Sequence, residues 1–162
     1  MRFLTLLIVI GWLCGCNPSK QAPAPVRPNP PKPAEIPVST EAKTIAWLDS
    51  ERLMPVLEMA QREKKPVFVE FYASWCAPCK VMEEEIFTQP EVSRYLNSNF
   101  LNFRADFDSP SGRTIAEIYE VEKLPTILFL DTQGIVLERY LGMAGSTTIK
   151  TLGASALGKM GK

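Results

Sequence analysis

Two cysteines separated by two residues, Cys76 and Cys79, are the side chains in this sequence best suited to chemistry. With that spacing, both sulfurs fall within the first turn of a helix. The free backbone N–H groups and the positive dipole end of such a helix favour a thiolate at its first residue. The pattern predicts thiol–disulfide exchange, in which Cys76 attacks a disulfide and Cys79 resolves the mixed disulfide that forms.

The flanking segments match the elements that such a pair requires. An apolar, β-rich stretch, Val67–Tyr72, precedes the cysteines, and residues 81–87 carry apolar side chains at helical spacing. A strand, a C-x-x-C pair and a helix in that order are typical of a redox centre. Glu70 is the one charged residue of the strand. Because burying an unpaired carboxylate is costly, Glu70 is either a functional acid or lies at an edge that reaches water.

Composition excludes several other kinds of site. The chain of 162 residues has no histidine, which rules out Cys-His and Ser-His-Asp catalysis and any His-ligated metal. Its four cysteines form two pairs, Cys14/Cys16 and Cys76/Cys79, so the body of the chain lacks the ligands for a closed zinc site. A zinc ion shared between two chains is the remaining alternative. The formal net charge of zero does not indicate a nucleic-acid-binding protein.

The motifs resemble those of the thioredoxin-like thiol:disulfide oxidoreductases. Trp75 with the two cysteines resembles the W-C-x-x-C motif, residues 124–126 resemble the cis-proline loop, and Gly142 stands where the family has a late glycine. The similarity covers roughly residues 45–159 and is greatest to the C-terminal domain of DsbD-type proteins. It implies an α/β thioredoxin fold in residues 39–162, with a mixed central sheet flanked by helices.

The resemblance also implies roles for individual residues. Glu70 matches a buried acid that exchanges protons with the resolving cysteine, and burial would raise its pKa toward neutrality. Arg104 stands near a lysine of many relatives, but the following loop differs in length and no role is carried over. Trp75 is expected beside a surface-exposed Cys76. A shallow apolar groove would hold the substrate backbone and be lined by Trp75, Ala77, Pro78, Leu124, Pro125, Gly142 and Met143.

The direction of the reaction follows from family comparisons. Ala77-Pro78 between the cysteines is closer to the Gly-Pro of reducing thioredoxins than to the histidine-containing dipeptide of strong oxidants, and Leu124 is the reductase-like choice before the proline. We therefore expect a reductant of disulfide-containing proteins that needs no metal or organic cofactor and draws electrons from a membrane donor of the DsbD type. The alternatives are an oxidase or isomerase, or a binding lipoprotein whose cysteines are not essential.

The N-terminus is typical of an exported lipoprotein. Residues 1–15 predict a signal peptide whose apolar run is shorter than the ~20 residues that span a bilayer. Cys16 ends a lipobox-like stretch and is the predicted lipidation site. Residues 16–38 are rich in proline, and an extended tether of that length would reach up to ~60 Å. These features predict a protein that is lipid-anchored on the extracytoplasmic side of a bacterial membrane. The alternatives are an uncleaved anchor or an ordinary signal peptide at the N-terminus, and a proline-rich ligand in place of the tether.

Periodicity locates the remaining elements. An edge strand is expected over residues 45–48, then a helix capped by Asp49 or Ser50. Thr88 is expected to cap the helix that follows the redox segment, and residues 126–130 and 135–140 to form a hairpin. A last helix from Ser146 is weakly indicated because glycines dilute its propensity. Residues 108–112 are expected to form a turn, and Ile115, Ile118 and Tyr119 mark another helix after it. The apolar helix positions expected to face the core are Leu53, Val56, Leu57, Ala60, Val92, Tyr95 and Leu96.

Overall fold

A computed structural model describes residues 44–160, whose strands form one mixed sheet of four strands in the order β2-β1-β3-β4. Strand β1 is central: it runs parallel to β2 and antiparallel to β3, and β4 pairs antiparallel with β3. The strands are β1 Val67–Tyr72, β2 Leu101–Asp106, β3 Thr126–Leu130 and β4 Val136–Leu141. The α-helices are α1 Leu53–Glu63, α2 Ala77–Val81, α3 Pro90–Asn99, α4 Pro110–Ile118 and α5 Ser146–Met160, and a π-helical turn, Met82–Ile86, extends α2. The predicted α/β architecture, a mixed sheet flanked by helices, is confirmed.

The two faces of β1 pack against different helices, since successive side chains of a strand point to opposite sides. Val67, Val69 and Phe71 belong to an apolar cluster with side chains of α1 and α4, and we call this side the Val69 face. Phe68 belongs to a second cluster with side chains of α3 and α5. Glu70 points to the side of β1 opposite Val69 and therefore lies on the same side as Phe68. We call this side the Glu70 face.

The start of the domain is less regular than the sequence predicts. The expected edge strand is a single parallel bridge between Trp47 and Asn102. Neither Asp49 nor Ser50 caps α1; the Ser50 hydroxyl instead donates to the Arg52 carbonyl at 2.7 Å, and the helix begins without a side-chain cap. The predicted inner face of α1 is confirmed, because Leu53, Val56, Leu57 and Ala60 are all buried.

A further prediction about a helix cap is wrong. Thr88 does not cap α3, because its hydroxyl donates back to the Glu84 carbonyl at 2.8 Å in the preceding turn. The predicted helix marked by Ile115 and Ile118 is confirmed as α4; Ile115 and Ala116 meet the core, and Ile118, its last residue, is 69% exposed. This helix starts at Pro110, inside the predicted turn, and the Ser109 hydroxyl accepts the Gly112 N–H at 2.9 Å as its cap.

The last helix, α5, is long despite its glycines. Gly153 is buried at a close approach between α5 and α3, where an added Cβ would lie 2.7 Å from the Tyr95 hydroxyl oxygen. The glycine therefore permits packing at this point, and its cost in helix propensity is offset by that contact.

Several predictions concern the N-terminus. The signal peptide, the lipidation site Cys16 and the proline-rich linker all lie outside the described residues. Within residues 44–160, no helix is long and apolar enough to cross a bilayer.

Candidate redox site

The two cysteines lie where β1 leads into α2, and their sulfurs form a disulfide with Cα atoms 5.3 Å apart. Cys76 occupies the N-cap position of α2, with Pro78 in the first turn of the helix. The backbone N–H of Cys79 donates to the Cys76 sulfur at 3.3 Å. A thiolate on Cys76 would accept the same hydrogen bond and would lie at the positive end of the helix dipole. Both interactions stabilise the negative charge.

The disulfide is covered by neighbouring side chains. Cys76 is 4% exposed and Cys79 is 2% exposed, so the expectation of a surface-exposed Cys76 is wrong for the disulfide form. The cause is packing by Tyr72, Phe107 and Leu124 against the cysteine cluster. A reaction partner must therefore approach between these side chains.

Trp75 does lie at the surface beside the disulfide, as predicted. It is 65% exposed, and its indole N–H donates to the Asp108 carboxylate at 3.0 Å. That hydrogen bond fixes a large apolar side chain without burying it. Asp108 was not singled out from the sequence, because nothing in its local pattern links it to a residue 33 positions away.

The predicted cis-proline loop is adjacent to the cysteines. The Leu124–Pro125 peptide bond is cis, as the resemblance implies. The Pro125 carbonyl accepts the Gly142 N–H at 2.8 Å, and Gly142 has a φ of +94° that a residue with a side chain rarely adopts. Leu124, Pro125 and Gly142 are thus brought together, and Leu124 itself contacts the cysteine cluster.

The remaining residues of the predicted groove lie at the surface. Ala77 and Pro78 are exposed on the first turn of α2, and Met143 is 53% exposed after Gly142. A cavity of about 530 Å³ opens beside Trp75 toward α4, and neither Ala77, Pro78 nor Met143 lines it. Its lining is more acidic than the predicted apolar groove and consists of Trp75, Phe107, Asp108, Arg113, Ala116, Glu117, Glu120, Val121 and Glu122.

Glu70 is fully buried in the central strand of the sheet, so the alternative of an edge position that reaches water is wrong. Burial raises the pKa of its carboxyl from 4.5 to about 7, although the positive charge of Arg104 offsets part of the effect. The predicted rise toward neutrality is confirmed. A carboxyl with this pKa can hold or release a proton near neutral pH.

Arg104 is the nearest cation to that carboxyl. It lies directly opposite Glu70 in the parallel register of β1 and β2, and its Nε is 2.9 Å from Glu70 Oε2. Within the described residues, neither Glu70 oxygen accepts a hydrogen bond of good geometry, so the contact is an ion pair rather than an aligned hydrogen bond. The terminal nitrogens of Arg104 donate to the Glu83 carboxylate of the π-helical turn at 2.9 and 3.4 Å.

The sequence reasoning missed this contact of Arg104 with Glu70. Each residue occupies the fourth position of its strand, and that shared position was the available signal. It becomes decisive only once the two strands are known to be parallel neighbours in this register.

The described residues offer no metal site, since no three of their histidine, cysteine, aspartate or glutamate side chains are grouped so as to hold an ion. The chemistry that their arrangement supports is two-electron exchange between a dithiol and a disulfide. The buried carboxyl of Glu70, on the strand that leads into the cysteines, is the candidate group for the proton.

Comparison with known proteins agrees with this geometry. A model of a family described as thioredoxin-like matches residues 47–132. The thiol:disulfide interchange protein DsbD of Photorhabdus laumondii is 36% identical over 89 residues, which are 54% of this chain. Those residues correspond to only 15% of the relative's own length, so most of that protein has no counterpart in the match.

Solved structures show the same fold. A thioredoxin from Thermus thermophilus has a TM-score of 0.64 at 25% identity, over 73% of this chain and 91% of its own. The C-terminal domain of Neisseria meningitidis DsbD, in its oxidised form, has a TM-score of 0.52 at 25% identity, over 61% of this chain and 88% of its own. The predicted thioredoxin fold and the similarity to the DsbD C-terminal domain are thereby confirmed.

Proposed function

The chain belongs to the thioredoxin-like family, and on that premise we propose that it is a thiol:disulfide oxidoreductase that reduces disulfides in other proteins. The observation that carries the proposal is the Cys76–Cys79 disulfide at the start of α2, with the Cys79 N–H directed at the Cys76 sulfur. This arrangement favours a thiolate on the residue that attacks.

The reaction begins with the dithiol form. The Cys76 thiolate attacks one sulfur of a substrate disulfide, so that a mixed disulfide forms and the other substrate sulfur leaves as a thiolate. Cys79 then loses its proton and attacks the Cys76 sulfur, which releases the second substrate thiolate. The substrate gains two electrons, and the Cys76–Cys79 pair is left as a disulfide.

Glu70 is proposed to take the proton of Cys79. With a pKa of about 7, its carboxyl is near balance between its two protonation states at neutral pH. Its burial on the strand that leads into the cysteines keeps bulk water from competing for the proton. Trp75 and the residues around Pro125 hold the substrate backbone. The side chain of Leu124 contacts the cysteine cluster, and its backbone pairs with an extended segment of the substrate.

The reducing direction is supported by Ala77-Pro78 and Leu124, which match the reductase-like choices of the family. A reductant is left oxidised after each turnover, so it must be recharged. We propose a membrane electron donor of the DsbD type, because the extracytoplasmic compartment is oxidising and cannot itself recharge the dithiol.

The cellular location rests on the N-terminus. We propose that residues 1–15 are a signal peptide, that Cys16 is lipidated and that residues 16–38 form a tether for the domain at residues 39–162. The protein would then act on the extracytoplasmic side of a bacterial membrane. Loss of lipid labelling in Cys16→Ser, with labelling retained in Cys14→Ser, would test this part of the proposal.

Trapping of the mixed disulfide tests the enzyme itself. Cys79→Ala leaves Cys76 without its resolving partner, so covalent complexes with substrate proteins should accumulate and disappear on addition of a thiol reductant. Cys76→Ala is the matched control and should form far fewer. Absence of complexes in both variants, together with full activity in the cell for Cys76→Ser/Cys79→Ser, would instead indicate a binding protein.

A further inference from the structure

The segment that precedes α1 is held firmly against the Glu70 face. Asn97 binds it at two points, since its side-chain oxygen accepts the Ala46 N–H at 2.9 Å and its side-chain nitrogen donates to the Thr44 carbonyl at 3.0 Å. The Leu48 N–H donates to the Asn102 carbonyl at 2.8 Å. These bonds fix the backbone on both sides of Trp47.

The Trp47 ring continues this contact into the core. It stacks on Phe68 with centroids 5.9 Å apart and meets Phe87 edge-on at 5.5 Å. The ring of Trp47 lies 5.2 Å from the Arg104 guanidinium carbon, and the ring of Tyr72 lies 4.0 Å from the same carbon. A guanidinium near two aromatic rings is stabilised by cation–π attraction and loses freedom to rotate.

This confinement matters because Arg104 serves two carboxylates that compete for it. Glu70 is fully buried, whereas the side chain of Glu83 is 54% exposed. A long, flexible arginine without the aromatic rings can follow Glu83 toward water, which would leave the Glu70 carboxylate with no cation. The rings keep Nε within reach of Glu70 while the terminal nitrogens bind Glu83.

We propose that Trp47 is a positioning residue for the redox reaction: the segment before α1, through this ring, holds Arg104 against Glu70 and so sets how firmly Glu70 keeps its proton. The relevance to catalysis rests on the proposed function, in which Glu70 handles the proton of Cys79. The contact itself can be tested without any assay of activity. It is remote in sequence from the C-x-x-C motif and adds the start of the domain to the redox site.

The ionisable groups that interact electrostatically with Glu70 or with Tyr72 lie on three elements. Strand β1 contributes Tyr72, the π-helical turn contributes Glu83, and β2 contributes Arg104 and Asp106. Strand β3 places the uncharged Ile127 opposite Glu70. The segment 44–48 has no ionisable side chain, so Trp47 can affect Glu70 only by moving Arg104 or by admitting water.

A double-mutant cycle separates those two effects. The pKa of Glu70 would be measured by carboxyl ¹³C NMR in the oxidised full chain for the wild type, Trp47→Leu, Arg104→Met and the double variant. Entry of water should change the pKa equally in both backgrounds. Loss of the Arg104 contact should raise it only when Arg104 is present, so we expect Trp47→Leu to raise the pKa by about 0.5 more in that background.

Controls address packing and folding. Trp47→Phe keeps an aromatic ring and should restore most of the wild-type value. Phe100→Leu removes an aromatic side chain from the same core cluster and should leave the pKa of Glu70 unchanged. If Trp47→Leu does not fold, Tyr72→Leu removes the opposite ring and should show the same dependence on Arg104.

Equal pKa changes in the two backgrounds, or a smaller rise with Arg104 present, would overturn the proposal. This outcome is distinguishable from failure of the proposed function, because the titration uses the disulfide form and requires no substrate. Trapped complexes in Cys79→Ala report on the function separately.

Discussion

The two faces of β1 share a backbone and differ in what they bury. On the Val69 face, Val67, Val69 and Phe71 pack into a cluster of apolar side chains. On the Glu70 face, the same strand buries a carboxyl whose nearest cation is a half-buried arginine shared with Glu83. Burial of a charge costs free energy that a buried valine does not, so only the Glu70 face carries a feature that works against stability.

This difference separates what makes the fold from what makes the site. The Val69 face could be replaced by other apolar side chains of similar volume with modest loss. The Glu70 face depends on a specific register, because Arg104 reaches Glu70 only when the two residues lie opposite each other in parallel strands. The predictions that follow compare matched changes on the two faces, from the largest expected effect to the smallest.

A carboxylate on the wrong face should be the most damaging change. Val69→Asp would bury a negative charge in an apolar cluster, so we expect a loss of about 4 kcal/mol in the free energy of unfolding at pH 8, measured with urea. Val69→Thr adds polarity without charge and should lose about 2 kcal/mol. Equal losses for the two variants would mean that charge burial is not what distinguishes the faces.

Removing the natural carboxylate of Glu70 should stabilise the protein at high pH, whereas adding a carboxylate at Val69 destabilises it. The pKa of Glu70 is raised from 4.5 to about 7 in the folded state, so the folded chain binds more protons than the unfolded chain between those values. Stability from this group is therefore fully present below pH 4.5 and is lost as the pH rises through 7, by about 3 kcal/mol.

Comparison with Glu70→Gln isolates that loss, because the other ionisable groups remain in both proteins. Relative to Glu70→Gln, the wild type should become progressively less stable from pH 4 to pH 8 in urea unfolding experiments. A difference that stays constant with pH, or that grows in favour of the wild type, would show that Glu70 is not buried with a raised pKa.

The helices that cover the Glu70 face give a smaller contrast. Gly153→Ala would bring a methyl group against Tyr95 and should destabilise the protein by about 1–2 kcal/mol, although alanine is the better helix former. Gly158→Ala has no heavy atom within 4 Å of the added Cβ and should stabilise by a few tenths of a kcal/mol. Thermal unfolding of both variants checks the pair, and stabilisation by both would contradict close packing at Gly153.

Helix caps supply the smallest effect. Ser109 caps α4, which covers the Val69 face, so Ser109→Ala should lose about 1 kcal/mol. Thr88 precedes α3, which covers the Glu70 face, but it does not cap that helix, so Thr88→Ala should stay within about 0.5 kcal/mol of wild type. Urea midpoints would decide between them. A larger loss of stability for Thr88→Ala than for Ser109→Ala would contradict the assignment of Ser109, and not Thr88, as a helix cap.

The parts of the site that could be predicted are those encoded within a short stretch. Cys76, Cys79 and Glu70 were identified because a strand, a spacing and a lone charge lie within one short stretch, residues 67–79. The strands were predicted for a similar reason, since they are apolar runs bounded by turn residues. Local composition determines these features before any tertiary contact forms, whereas the mixed sheet was implied by the resemblance to the thioredoxin-like family.

The parts that could not be predicted depend on register and on side-chain packing. Arg104 and Trp47 reach the site from β2 and from the start of the domain, and only the folded sheet shows that they meet. The failure at Thr88 has a related cause. Threonine fits the role of a helix cap, but the exact first residue of a helix is decided by its neighbours.

The reduction potential of the Cys76–Cys79 pair tests the central claim most directly. The full chain would be equilibrated with thiol buffers of defined potential, and the dithiol fraction would be measured by alkylation. A value near or below about −230 mV is predicted and would establish a reductant that needs an electron donor. A value near about −120 mV would contradict the proposed direction and make the protein an oxidant.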